Sequence, residues 1–203
     1  MANHVHQGDL PEGLSFGESV AVDTETMGLD PRRDRLCLVQ LSAGDGDAHI
    51  VQFAPGVYDA PRLRALLTDP AVIKLFHFAR FDLAMMRHHM GIRCAPVYCT
   101  KIASKLTRTY TDRHGLKDLC RDLLGLEISK QQQTSDWGAA KLTDAQIAYA
   151  ASDVTALHRL RERLDALLER EGRKEIAEAC FRFLPDRAAL DLLGWDDPDI
   201  FHH

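Results

Sequence analysis

The fold class that the sequence predicts is α/β, a mixed β-sheet covered by helices. Three observations carry that expectation. Three short β-rich runs come first, strand-like and helix-like runs then alternate, and the second half is almost wholly helical in pattern. Residues 19–25, 36–41 and 48–53 are the three opening strands, rich in Val, Leu and Ile and separated by Gly, Pro and Asp turn chemistry. The GDGDA segment at 44–48 supplies a hairpin turn. Residues before 19 read as a polar lead-in. Helical spacing appears over 61–67, a fourth apolar run over 72–77, a helix from 79 to 89, and a fifth strand over 97–100. Helices are then expected over 101–106, 115–124, one long segment from 143 to about 171, and 173–183. The stretch 185–203 mixes Leu190, Leu192, Leu193 and Trp195 with acids, so it is expected to pack on the domain or on another subunit.

A length of 203 residues fits a single domain, 1–203, with its motifs within 20–160 and a helical tail over 173–203. Hydrophobic residues at 45% and charged residues at 27% exclude disordered and fibrous classes. No run approaches the roughly 18 apolar residues that a membrane span needs, and the first residues lack a leader pattern, so no membrane association and a cytoplasmic location are expected. The five cysteines are scattered without a Cys-x2-Cys pair, which reads as reduced thiols rather than a disulfide or zinc framework. His88 and His89 are adjacent and diverge by about 100° on a helix, which disfavours them as a metal pair. A net charge of -5 argues against a protein that coats nucleic acid in general, but leaves open an enzyme that holds a nucleic-acid end through metal ions.

Chemistry concentrates in three places. Asp23 and Glu25 lie two apart at the end of an apolar strand, so period-two geometry puts both carboxylates on one face. Such a pair repels itself unless a cation intervenes, and hard oxygen ligands favour Mg²⁺ or Mn²⁺; a solvated strand end is the alternative. Asp82 falls in the first turn of a helix, where the dipole favours a carboxylate whether or not it is functional. The Thr143-Asp144-Ala145-Gln146 segment is a capping box that fixes where the next helix starts. Tyr149 and Asp153 then share one side of that helix, off the stripe formed by Ile147, Ala151 and Val154.

Taken in order, an Asp-x-Glu at a strand end, an Asp at a strand-to-helix junction and a Tyr-x3-Asp in a capped helix resemble the DEDD exonuclease superfamily. The tyrosine branch is the one matched, because the position where the sister branch carries histidine is Ala148 here. The segments at 5–11, 77–83, 100–117, 128–133 and 190–195 are similar to nano-RNase C (NrnC), the family of short, single-domain relatives of ribonuclease D. That resemblance implies a ribonuclease H-like fold with a helical C-terminal extension. It also implies a metal-dependent 3′-5′ exoribonuclease that hydrolyses short RNA, dinucleotides especially, to nucleoside 5′-monophosphates. It assigns Asp23 to bridge two divalent ions, Glu25 and Asp153 to complete the shell of the first, and Asp82 to hold the second, with Tyr149 orienting water. A ring-shaped homo-octamer is implied as well. Leu29 is implied as a wedge between the last two bases, with a core leucine in a turn as the alternative; Thr26 and His77 are further candidate substrate contacts, with a satisfied core histidine as the alternative for His77.

Six Lys/Arg against two Asp over residues 101–121 make Lys101, Arg108 and Arg113 candidate phosphate contacts in an otherwise acidic chain. Trp137 is read either as a stacking surface bordering the site or as a buried anchor. Two other functions compete: trimming of RNA 3′ ends in the manner of ribonuclease D, with DNA as a further substrate, and an inactive exonuclease fold that serves as a nucleic-acid-binding module.

Overall fold

A computed structural model describes residues 2–129 and 131–202. Its six strands are β1 (Asn3–Gln7), β2 (Ser19–Thr26), β3 (Leu36–Ser42), β4 (Ala48–Gln52), β5 (Ile73–Phe76) and β6 (Val97–Cys99). They form one sheet in the order β1-β4-β3-β2-β5-β6. The β2–β3 and β3–β4 pairs are antiparallel, whereas β1–β4, β2–β5 and β5–β6 are parallel. The sheet is therefore mixed, as expected. Central β3 is buried along its whole length, which its LCLVQLS sequence permits because even Gln40 and Ser42 are covered.

Strand β1 was not expected. Its NHVHQ sequence has no apolar alternation, and most of it is exposed. Backbone pairing to β4 holds it, together with a stack of His4, His6 and His49 whose ring centroids lie 4.8 to 6.4 Å apart.

The helices are α1 (Pro61–Thr68), α2 (Ala79–Met90), α3 (Thr100–Thr107), α4 (Leu116–Leu119), α5 (Asp144–Thr155), α6 (Leu157–Arg170) and α7 (Lys174–Leu192), with a π-helical turn over Cys120–Leu124. The single long helix expected from residue 143 is thus two, broken at Ala156. The break has a packing reason: α5 lies on β2, β3 and β4, while the Leu157, Leu160, Leu164 and Leu168 stripe of α6 meets α3. One straight helix does not serve both surfaces. Helix α7 runs well past the expected end, through a buried Pro185, because Leu184, Pro185 and Ala188 are covered and the helix packs along α2. Among the described residues no helix is long and apolar enough to cross a membrane.

A further buried group stabilises the end of β5. Lys74 has no exposed surface, and its Nζ donates to the carbonyls of Asp69, Val72 and Ala95 at 2.6 to 2.7 Å. Burial lowers its pKa.

Candidate active site

The first two acids come from β2. Held between β3 and β5, that strand sends Asp23 and Glu25 to the same side of its end, where a register shift between Glu25 and Thr26 ends regular pairing. Helix α2 brings Asp82 from its first turn, and the carboxylate is buried. Helix α5 brings Tyr149 and Asp153, one turn apart. Its start is set by the expected capping box: Gln146 N donates to Thr143 Oγ1 at 3.2 Å, and Thr143 N donates to Gln146 Oε1 at 2.9 Å.

One oxygen each from Asp23, Glu25 and Asp153 lie within 4.8 Å of one another. Asp82 stands beside this triad. Its Oδ1 accepts a hydrogen bond of 2.6 Å from Thr24 Oγ1, the hydroxyl between the two β2 acids in sequence. Gln40 on β3 donates to Asp23 Oδ2 at 3.4 Å.

The electrostatic consequence is large. Burial, then the charges of Asp82, Asp153 and Glu25, raise the Asp23 pKa well above the usual carboxylate range. Burial, then Asp153 and Asp82, push Glu25 up to about 9. Asp82 rises to about 7, burial outweighing the hydrogen bonds that favour its ionised form. Carboxylates that retain protons for want of a countercharge, in an all-oxygen cluster, are the donor set that a hard divalent cation takes. The residues therefore fit a Mg²⁺ site.

Tyr149 is half-buried beside this cluster and bonded to the Asp153 carboxylate. Burial first, then the charges of Asp153, Glu25 and Asp23, push its phenol above the ordinary value of 10.0. It keeps its proton across the neutral range.

The other expected site residues divide into two groups. Leu29 projects into solvent at 84% exposure from the loop after β2, and Thr26 Oγ1 closes that turn by donating to the Gly28 carbonyl at 2.6 Å. His77, at the end of β5, has Nδ1 2.9 Å from Thr100 Oγ1. Thr100 Oγ1 also lies 3.2 Å from the Phe76 carbonyl. Lys101 is half-buried in α3 and Arg113 is exposed.

Two expectations are corrected. Trp137 is 1% exposed and packs in a small core with Cys37, Leu38, Ile50 and Leu142, its ring 5.9 Å from that of Tyr149. It is the buried anchor, not a stacking surface. Arg108 is 2% exposed, its guanidinium taken by Asp122 at 2.5 Å and by the Arg113 carbonyl at 2.9 Å. A phosphate has no access to it. The basic run is correspondingly weaker than its count suggested, because Arg121 is also paired, with Asp118 and Asp122. Asp122 lies one residue beyond the counted window.

Sequence reasoning missed Thr24, Gln40 and Phe78. Phe78 is the one non-glycine residue with positive φ (67°) among those described; it is 46% exposed and carries Lys101 Nζ 4.0 Å above its ring centroid. Its place directly after His77 was visible, but no local signal announces a left-handed phenylalanine.

Comparison with known proteins bears on this geometry. A family model described as 3′-5′ exonuclease matches residues 8–169. Ribonuclease D of Gluconacetobacter diazotrophicus is 39% identical over 182 residues, which is 90% of this chain and 43% of that protein. The chain thus spans about two-fifths of the length of that curated relative. The structure of Brucella melitensis NrnC bound to pGG superposes with a TM-score of 0.97 at 56% identity, covering 100% of this chain and 99% of the other. The structure of Brucella melitensis NrnC with bound Mg²⁺ gives a TM-score of 0.96 at 55% identity, with 100% of both chains covered.

Proposed function

The chain belongs to the 3′-5′ exonuclease family, and we propose that it hydrolyses short RNA from the 3′ end, dinucleotides above all, to nucleoside 5′-monophosphates. One observation carries the reading: Asp23 and Glu25 of β2 and Asp153 of α5 bring carboxylate oxygens within 4.8 Å of one another, with Asp82 of α2 bonded to the intervening Thr24. The pGG bound to Brucella NrnC supports a dinucleotide as substrate, and the Mg²⁺ bound to that protein supports the cofactor.

Asp23, Glu25 and Asp153 would hold a divalent ion, with Asp82 beside them as a further ligand, and Mg²⁺ or Mn²⁺ would suit these oxygen donors. When bound, such ions stabilise charge on the phosphoryl oxygens and acidify water near neutral pH. Tyr149 keeps its hydroxyl proton and orients the attacking water through Oη, with Asp153 fixing the ring position. Thr24 holds Asp82 in place. Leu29 is the apolar wedge at the 3′-terminal bases, on a loop that Thr26 closes; His77, Lys101 and Arg113 contact the substrate.

The exposed Leu193, Trp195, Ile200 and Phe201 of the C-terminal segment support self-assembly, with the homo-octamer as the expected state. Five free cysteines support a cytoplasmic location.

The test is turnover of a 5′-phosphorylated diribonucleotide with Mg²⁺, followed by chromatography of mononucleotides, beside a longer RNA and the matching deoxyribodinucleotide. The ribodinucleotide is expected to be cleaved fastest. Equal or faster cleavage of the longer RNA removes the dinucleotide preference, and no cleavage of any substrate removes the activity.

A further inference from the structure

Gln40 lies in β3, the strand that is buried along its whole length. It stands directly opposite Asp23 across the β2–β3 pair and opposite Ile50 across the β3–β4 pair, so the three side chains share one face of the sheet. Helix α5 covers that face. Leu38, two residues before Gln40 on the same strand, belongs with Ile50, Trp137 and Ala150 to the small apolar core beneath the helix. Gln40 itself has no exposed surface.

A glutamine is an unfavourable filler for such a place. Its amide carries two N–H donors and a carbonyl that all lose water on burial, whereas leucine or methionine fills a similar volume without that cost. Here the amide is only partly satisfied. Nε2 donates to Asp23 Oδ2 at 3.4 Å, and Oε1 has no hydrogen-bond partner among the described residues. Packing alone therefore does not account for Gln40, and its one bond leads to the acid cluster.

The charges of Glu25, Asp82 and Asp153 all oppose a charge on Asp23. A donor aimed at its carboxylate works the other way, and such a bond strengthens when the acceptor is ionised. A neutral amide suits the position, because it supplies an N–H without a positive charge that would compete with a cation. We propose that Gln40 is a positioning residue for the metal site: its buried amide holds Asp23 Oδ2 and fixes the orientation in which that carboxylate meets a divalent ion. This inference rests on the acid cluster being a Mg²⁺ site. Groups that hold a ligand rather than the ion change metal affinity by about tenfold to a hundredfold when removed.

The experiment measures Mg²⁺ binding by calorimetry, thermal unfolding in EDTA, and the Mg²⁺ concentration that half-saturates cleavage of a 5′-phosphorylated diribonucleotide. The proteins are wild type, Gln40→Met, Gln40→Leu and Gln52→Leu. Methionine is unbranched like glutamine and lacks the N–H donor. Gln52 is the control, a buried glutamine of the neighbouring β4 that bonds to Gln7 and to the Ala139 carbonyl at 2.9 Å. Gln40→Met is expected to raise the Mg²⁺ Kd and the half-saturating concentration about tenfold or more, with little change of Tm in EDTA; Gln40→Leu should move both in the same direction. Gln52→Leu is expected to lower Tm and leave the Mg²⁺ Kd near the wild-type value. An unchanged Kd in the Gln40 variants, or an equal weakening in Gln52→Leu, overturns the proposal. Loss of the fold in both Gln40 variants assigns the residue to packing and overturns it too. Wild type that binds no Mg²⁺ overturns the metal site itself, whereas wild type that binds Mg²⁺ but cleaves no RNA overturns the activity, with calorimetry still deciding the role of Gln40.

Discussion

Replacing Glu25 by Gln in the metal-free protein removes one of the charges that the cluster cannot hold together. In the folded protein the Glu25 pKa is about 9, against 4.5 for an ordinary glutamate. The folded pKa is raised, so the stability linked to this group is fully present below pH 4.5 and is lost as pH climbs toward 9. Each pH unit in that window costs about 1.4 kcal/mol per group. Between pH 5 and 8 the ceiling is therefore about 4 kcal/mol, and sharing of protons with Asp23 and Asp82 reduces it to about 2 kcal/mol. Coulomb repulsion gives the same order: two full charges no more than 4.8 Å apart repel by about 3 kcal/mol or more at an effective dielectric constant of about 20. For a chain of this length 2 kcal/mol is about 4 to 8 °C in Tm. The assay is thermal unfolding in EDTA from pH 5 to 8. Wild-type Tm should fall with rising pH more steeply than that of Glu25→Gln, so that the variant is the more stable at pH 8. Mg²⁺ at about a hundred times its Kd should restore about 2.7 kcal/mol to the wild type and much less to the variant. Parallel pH profiles for the two proteins would refute the account of the cluster as mutually repelling acids.

Asp23→Ala and Asp153→Ala are each expected to abolish hydrolysis while leaving the circular dichroism spectrum intact; wild-type rates in either variant place the site elsewhere. Tyr149→Phe should lower kcat by about a hundredfold, within the range of a lost proton-handling or water-orienting group, while Mg²⁺ affinity measured by calorimetry changes little. Lys74→Met leaves three buried carbonyls without their donor and should cost about 3 kcal/mol or more by chemical denaturation. Trp137→Ala is expected to cost about 3 to 5 kcal/mol by the same measurement, and an effect on activity without one on stability would return Trp137 to the substrate.

Much of the sheet was legible because burial leaves a periodic mark. The runs at 19–25, 36–41 and 48–53 match β2, β3 and β4 within two residues, and 72–77 contains β5. Strand β1 left no such mark, since pairing of its backbone and stacking of histidines hold it rather than apolar burial. The capping box located the start of α5 to the residue, but the break at Ala156 arises from two different surfaces that the two halves must cover.

The sequence by itself singled out the candidate side chains: Asp23, Glu25, Asp82, Tyr149 and Asp153 were named from strand, cap and helix spacing together with a family resemblance. Local rules give the direction of each side chain, because that follows from the period of its own element. Only the tertiary structure decided which candidates were free to act. Arg108 and Trp137, both candidates for substrate contact along the chain, are buried in the fold. Burial and ion pairing join residues far apart in number, so the availability of a charge is a property of the folded surroundings and not of its neighbours in sequence.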